Sequence, residues 1–268
     1  MRIALVSMDQ AWRDGAENLC RAEALLKEIR KQGCDWAVFP EMTLLGFSSE
    51  AEAVQENREE SPSLLGFGRL AKTWGINVVF GACLKAPGSA RPQNVACLAD
   101  PDGRTKILYA KTHPFTYAGE DKAFEAGSQL AYLDIGALRI GLSICYDLRF
   151  PMLYAAMAPH CHGVICIANW PKARIHHWQT LLAARAVENQ MYLLGVNRIG
   201  IDGGGLEYEK SSCVADPEGR WNPPVWSSPS IDVHDISPEK VNMVRESFPV
   251  LPDRRIAWYQ TLLEKELR

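Results

Sequence analysis

The sequence lacks an excess of either charge, an apolar run long enough for a bilayer, a Cys-x-x-Cys pair and any Pro/Gly/Ser-rich break, and each absence removes a class of function. Its 29 Lys and Arg against 32 Asp and Glu leave a formal charge of -3. No long run has one sign, so no field is present to hold a phosphate backbone or an anionic lipid surface. Neither nucleic acid nor a membrane is expected as a partner. The longest apolar stretches, such as residues 163–168, fall far short of the roughly 20 residues that span a bilayer. The run from Met1 reaches Asp9 before a signal-peptide apolar segment is complete and has no Arg/Ser-rich transit composition, so the expected compartment is the cytoplasm. Without Cys-x-x-Cys, the eight cysteines make neither a zinc ribbon nor a thioredoxin-type pair. In a chain of this size they are expected as reduced thiols. Cys83, Cys97, Cys166 and Cys213, set in apolar runs, read as small buried hydrophobes.

What is present is ordinary globular usage, 47% hydrophobic and 23% charged over 268 residues, enough for a sizeable core. Length alone allows one large domain or two small ones. With no linker, residues 1–268 read as a single domain of two mixed sheets with helices outside. The first unit is strand (3–7), helix, strand (36–39), with Leu19, Ala22, Leu26 and Ile29 at helical spacing between an Asp14 cap and a stop at Gly33. Such a crossover predicts parallel pairing. Residues 48–62 read as a polar, acidic surface loop, 64–74 as helix and 77–84 as buried strand. Ala99-Asp100-Pro101-Asp102-Gly103-Arg104 lies between apolar runs and predicts a hairpin over 94–111, and Ala215-Asp216-Pro217-Glu218-Gly219-Arg220 nearly repeats it. The repeat points to two similar α/β halves. Strands over 138–145, 163–168 and 191–197 and helices over 152–158 and 175–188 complete the pattern. Gly203-Gly204-Gly205 lacks dinucleotide-binding spacing and reads as a flexible loop. After Ser247, Pro249 and Pro252 precede an amphipathic segment at 256–267, so residues 249–268 read as a C-terminal arm suited to docking on a partner subunit.

At three places a short apolar run ends and a reactive side chain follows at once: Val38-Phe39-Pro40-Glu41, Ile107-Leu108-Tyr109-Ala110-Lys111 and Ser143-Ile144-Cys145-Tyr146-Asp147. Sites in open α/β sheets gather beyond the carboxyl ends of strands, so the three are expected to converge. Singly, each has a plain reading: a loop acid, a solvated strand-end lysine, one more core thiol. Together they fill the roles an amide hydrolase needs. Cys145 is expected where a strand turns into the helix from Phe150 onward, so that the Tyr146 N–H and the helix dipole face the sulfur and favour thiolate. A proton moving from a free cysteine to a free glutamate climbs roughly 4 pKa units, about 6 kcal/mol. A desolvated Glu41 and a nearby Lys111 ammonium are expected to close that gap.

These residues carry a resemblance. F-P-E at Phe39 to Glu41, Y-A-K at Tyr109 to Lys111 and C-Y-D-L-R-F-P at Cys145 to Pro151 resemble the three signatures of the nitrilase superfamily of carbon-nitrogen hydrolases, in the same order. The similarity runs from Ile3 to about Gly219. Ala168-Asn169-Trp170-Pro171, His177-Trp178 and residues 184–190 (A-R-A-V-E-N-Q) resemble the ω-amidase branch. The resemblance implies a four-layer α-β-β-α sandwich, dimerised through outer helices. It also implies Glu41 as general base, Lys111 as oxyanion stabiliser and Cys145 as nucleophile, with no metal and no organic cofactor. Glu120 matches a second glutamate that supports the family's site, although a surface acid on a loop is an equal reading beside Asp121 and Lys122. Arg149 matches the residue that holds the substrate carboxylate in ω-amidases; a structural ion pair with Asp147 is the alternative. Phe115 and Trp170 are the expected substrate-binding wall, and the Tyr146 N–H the second oxyanion donor.

Pro114 and Met152 depart from the branch and leave the pocket wall open. Arg185 and Glu188, three apart on a helix, read as a scaffold ion pair. One rival is a Cys145–His113 pair; another is a metal cluster from His160, Cys161, His162 and His176 or His177. A non-catalytic interaction protein of the same fold is a third. The expected reaction is thiol-dependent hydrolysis of a small linear amide, foremost an ω-amide of a keto dicarboxylate such as 2-oxoglutaramate or 2-oxosuccinamate. Deaminated glutathione, N-carbamoyl amines and aliphatic amides stay open.

Overall fold

Side-chain alternation along the strands decides the layers. The computed structural model describes residues 1–266. In chain order it contains β1 (Arg2–Val6), α1 (Gly15–Lys31), β2 (Trp36–Val38), α2 (Ala51–Val54), β3 (Glu56–Asn57), α3 (Pro62–Trp74), β4 (Asn77–Lys85), β5 (Gln93–Ala99) and β6 (Thr105–Ala110). Next come α4 (Glu120–Ala123), β7 (Tyr132–Ile135), β8 (Leu138–Ile144), α5 (Pro151–Met157), β9 (Gly163–Ala168), α6 (Ile175–Asn189) and β10 (Tyr192–Asn197). The chain continues through β11 (Gly200–Ile201), β12 (Glu207–Tyr208), β13 (Cys213–Ala215), β14 (Trp221–Asn222), β15 (Trp226–Ser227), β16 (Ile231–Asp235), α7 (Pro238–Ser247) and α8 (Ile256–Glu266). One sheet has the order β15-β16-β1-β2-β4-β5-β6 with β3 beside β4, and the other β14-β13-β10-β9-β8-β7.

Ala4 and Val6 on β1 point one way, into a core with Ala22, Leu26 and Ile29 of α1 and Phe67 and Leu70 of α3. Ile3 and Leu5 point the other way, into a core shared with Ile140, Leu142, Ile165 and Leu194 of the second sheet. The far face of that sheet, with Val164, Cys166 and Leu193, packs on Tyr154 and Met157 of α5 and Trp178 and Leu182 of α6. Three core layers between four structural layers make an α-β-β-α sandwich, as the resemblance implied. No described helix is long and apolar enough to cross a membrane.

The two halves repeat one another. From β16 through β1, β2, β4 and β5 to β6 the pairings run antiparallel, parallel, parallel, antiparallel, antiparallel. The path β7, β8, β9, β10, β13, β14 runs the same way. Both hairpin turns are closed alike. Asp100 Oδ1 accepts from Asp102 N and Arg104 N (3.0 Å each), and Asp216 Oδ1 accepts from Glu218 N and Arg220 N (2.9 and 3.0 Å). The Asp-x-x-Gly pattern thus encodes the same turn twice.

Local signals placed the first helix well: Asp14 caps α1 by accepting from Glu17 N at 3.0 Å. Residues 48–62 are a correction. Instead of a surface loop they form α2 and β3 and bury Val54 and Glu56. The Glu56 carboxylate accepts from the Ser61 hydroxyl, from Ser63 N (3.0 Å) and from Ser63 Oγ (2.7 Å), fastening the start of α3. An acid read as solvated by composition is buried because local donors satisfy it. Gly203-Gly204-Gly205 is also more ordered than expected: it forms the turn between β11 and β12, where Asp202 Oδ1 accepts from Gly204 N and Leu206 N (2.9 and 3.0 Å).

The arm begins tied to its own chain. Arg254 donates to Ala155 O (3.1 Å) and Glu188 O (2.8 Å), and Gln190 Nε2 donates to Phe248 O (2.6 Å). Beyond that point α8 leaves Ile256, Trp258, Tyr259 and Leu263 exposed. Leu267 and Arg268, the end of the arm expected from sequence, lie outside the described residues.

Candidate active site

The three strand-end groups converge beyond the carboxyl ends of β2, β6 and β8. Glu41 and Glu120 are wholly buried and Lys111 is 2% exposed. Lys111 Nζ lies 3.1 Å from Glu41 Oε1 and 2.8 and 3.0 Å from the two Glu120 oxygens. Asn94, on β5, spans the same two acids, its Nδ2 donating to Glu41 Oε1 (2.7 Å) and Glu120 Oε1 (3.1 Å). Glu120 is therefore inside the cluster and not a surface acid. It also accepts from Phe115 N at 2.5 Å, closing the loop that carries Phe115. The other Glu41 oxygen accepts from Asn169 N (2.9 Å), and Asn169 Nδ2 donates back to Glu41 O (2.7 Å). Glu41 follows β2 and Asn169 follows β9, corresponding strands of the two halves.

Backbone strain marks two of these places. Met42, next to Glu41, and Cys145 adopt left-handed φ of 43° and 47°, a region costly for residues with a Cβ and kept only where the surroundings enforce it. For Glu41 the enforcement is close approach of β4: a Cβ on Gly81 would sit 2.7 Å from Glu41 Cα. At Cys145 it is Asp147, whose Oδ2 accepts from Ile144 N (3.0 Å) and Tyr109 OH (2.8 Å). Tyr109 belongs to the lysine motif, so Asp147 ties two motifs together.

The helix expected behind Cys145 is a correction. Residues Cys145–Arg149 form a five-residue 3-10 turn, and α5 begins only at Pro151. No long helix dipole faces the sulfur. Burial pushes the Cys145 thiol well above its ordinary pKa, Glu41 adds to the rise, and Lys111 offsets only part of it. The push is toward the neutral thiol, opposite to the helix-dipole expectation. Burial by itself disfavours the Lys111 ammonium, yet Glu41 and Glu120 outweigh it and hold the lysine above its ordinary value.

A cavity of about 350 Å³ opens over Cys145, lined by Tyr146, Phe115, Trp170, Arg149, Arg174 and Tyr208 among others. The expected wall residues Phe115 and Trp170 are both there. Arg149 makes no pair with Asp147, whose Oδ1 is taken by His113 N (2.9 Å) and Nδ1 (2.8 Å). Instead its guanidinium lies 4.8 Å over the Trp170 ring and 3.3 Å from His177 Nδ1. His113, occupied by Asp147 and stacked 3.8 Å on Phe150, is not the partner of Cys145. The Cys145 sulfur has instead the Asn169 carbonyl, 4.0 Å away. Neither Pro114 nor Met152 lines the cavity.

Residues 2–245 match the family described as carbon-nitrogen hydrolase. The chain belongs to that family. The hydrolase is 33% identical to the omega-amidase YafV of Yersinia enterocolitica over 94% of this chain and 96% of that one. It is 30% identical to the 2-oxoglutaramate amidase of Bacillus subtilis, over 94% and 97%. Among solved structures it resembles XC1258 of Xanthomonas campestris, a CN-hydrolase superfamily protein with an arsenic adduct in its active site (TM-score 0.85, 30% identity, covering 95% and 97%). It is similar too to the amidase of Nesterenkonia AN1, seen with acrylamide added to its active-site cysteine (TM-score 0.82, 26% identity, covering 98% and 100%).

In this hydrolase, sequence reasoning missed Asn94, Arg174 and the part played by Asn169. Asn94 had one signal, a polar side chain inside a run that otherwise reads as buried strand. Arg174 had none. Arg185 and Glu188 do pair (3.0 Å), and Arg185 also donates to Leu148 O (3.2 Å) and Arg149 O (3.3 Å), supporting the turn after Cys145. Among the described residues no group of three or more His, Cys, Asp or Glu is arranged to hold a metal.

Proposed function

We propose that the protein hydrolyses the ω-amide of a keto dicarboxylic acid, 2-oxoglutaramate or 2-oxosuccinamate, to the acid and ammonia by way of a Cys145 thioester. The observation that carries this reading is the cavity itself: Cys145 at its floor beside paired Glu41 and Lys111, and Arg149 in its wall, in no ion pair with a carboxylate among the described residues. The relatives' activities on ω-amides support the same substrate class.

Glu41 accepts the thiol proton as sulfur attacks the amide carbon. Neutralising Glu41 loosens its hold on Lys111, whose freed N–H turns to the oxyanion together with the Tyr146 N–H. Glu41 then returns the proton to the departing ammonia. Water, deprotonated by Glu41, cleaves the thioester; the thiolate leaves, regains a proton, and the free acid departs. Glu120 and Asn94 keep Lys111 and Glu41 in register throughout. Buried pairing of this kind preorganises the charge before substrate arrives.

The chain works as one unit in the cytoplasm, a reading supported by its eight unpaired thiols and their need for a reducing medium. It works as a dimer whose contacts include the arm 249–268, a reading supported by the exposed apolar side chains of α8. The test is ammonia release from 2-oxoglutaramate, 2-oxosuccinamate, deaminated glutathione, an N-carbamoyl amine and butyramide. The first two should be the best substrates, and Cys145→Ala should abolish turnover. An acyl adduct in intact-protein mass spectrometry confirms the thioester; undiminished turnover by the alanine variant overturns it.

A further inference from the structure

Arg174 closes the Lys172–Arg174 turn just before α6 and lines the same cavity as Arg149. Its guanidinium carbon lies 6.0 Å from the Phe115 ring centroid, and its carbonyl accepts from Trp170 Nε1 at 2.8 Å. Arg149 stacks on the other partner in that link, Trp170. The two arginines are thus mounted on the two aromatic walls. Among the described residues neither is in an ion pair with a carboxylate, and no Asp or Glu lines the cavity. Glu207, beside the lining residues Leu206 and Tyr208, is already paired with Lys172 (3.1 Å). The first turn of α6 carries no acid and no side-chain cap, so nothing there offsets the positive sign.

Resting on the ω-amide reading above, we infer that Arg174 is a second specificity-determining cation, holding the carboxylate end of the substrate jointly with Arg149. Two planar forks lining the same cavity can supply donors to a carboxylate and to the keto oxygen next to it. The same surroundings reject an end that bears an ammonium, because that group would meet two guanidiniums and no acceptor carboxylate. The site therefore takes ω-amides of 2-oxo acids and refuses the corresponding amino acid amides, which differ only in the group beside the carboxylate.

Initial rates of ammonia release from 2-oxoglutaramate, L-glutamine and butyramide, measured for wild type, Arg149→Met, Arg174→Gln and Arg174→Lys, test this. Arg174→Gln should raise KM for 2-oxoglutaramate by about tenfold or more, the range of a lost charge-assisted hydrogen bond, while kinetics on butyramide change less than about twofold. Arg174→Lys should recover part of the loss. The wild-type KM for 2-oxoglutaramate should also rise with added salt, and less steeply in Arg174→Gln, because one screened attraction is gone. If Arg149→Met weakens 2-oxoglutaramate and Arg174→Gln does not, or if Arg174→Gln affects butyramide equally, Arg174 is only part of the wall and the inference fails while the substrate reading stands. If wild type shows no preference for 2-oxoglutaramate over butyramide, the substrate reading itself fails and takes this inference with it.

Discussion

The two ends of the cavity treat charge in opposite ways. At the floor, Lys111 is surrounded by Glu41, Glu120 and Asn94, all buried and all hydrogen-bonded. At the mouth, Arg149 and Arg174 lie against aromatic rings, and among the described residues neither is in an ion pair with a carboxylate. A charge that must act on every substrate is worth fixing in advance, since buried pairs lose their alternatives. A charge that must discriminate between substrates is of use only while unsatisfied. On the proposed reading, the chemistry of this hydrolase rests on paired groups and its selectivity on groups in no ion pair.

Removing the central cation breaks the contrast most severely. Lys111→Met leaves two carboxyl groups facing one another in a dry site, a change that costs about 3–5 kcal/mol when a buried pair loses one partner. Activity should vanish and the urea midpoint fall; a variant as stable as wild type would mean that the floor is not preorganised by charge. Gly81→Ala acts on geometry alone. Its new Cβ, meeting Glu41 Cα at 2.7 Å, must displace the acid, and a displacement near 1 Å costs on the order of a hundredfold in rate. Steady-state kinetics should show that loss in kcat, with the circular dichroism spectrum retained. Asn94→Leu removes one donor shared by Glu41 and Glu120 and should lower kcat by about tenfold or more, without altering the ratio between charged and uncharged substrates. A change in that ratio would show the two ends to be coupled. At the mouth the effect is on KM: Arg149→Met should weaken 2-oxoglutaramate by about ten- to a hundredfold and leave butyramide nearly unchanged.

The smallest effect lies away from both ends. Burial, only partly offset by Asp232, pushes His234 on β16 below the ordinary histidine pKa, and burial together with Arg245 does the same for His162. A depressed histidine is neutral in the folded chain while the unfolded chain takes up a proton. Its contribution to stability is thus intact above about pH 6.5 and is lost as pH falls from there toward the folded value. Urea midpoints measured from pH 7.5 down to 5 should fall, and His234→Leu should flatten part of that slope. An unchanged slope would assign the acid sensitivity to His162 or to carboxylates.

Much of the floor was legible because each reactive residue follows directly on its strand. Glu41, Lys111 and Cys145 are local signals, and so is the Asp-x-x-Gly turn that recurs in both halves. Glu120 could not be separated from a surface acid, since its neighbours Asp121 and Lys122 are polar and only the fold brings Lys111 to it. The same holds for Glu56, buried by donors a few residues away. The mouth was half legible: Arg149 shares a motif with Cys145, whereas Arg174 lies 29 residues beyond Cys145 with no motif around it.

By itself the sequence determined which side chains stand at strand ends, which turns close the hairpins and which faces of strands and helices are apolar, because those depend on neighbours one to four positions away. Only the tertiary structure decided that Lys111 is flanked by two acids, that Cys145 sits in a short 3-10 turn and not at a helix N-terminus, and that Arg149 and Arg174 border the cavity without an ion pair to any described carboxylate. Charge state follows from burial and from who stands opposite, and both are set by contacts between residues far apart in the chain.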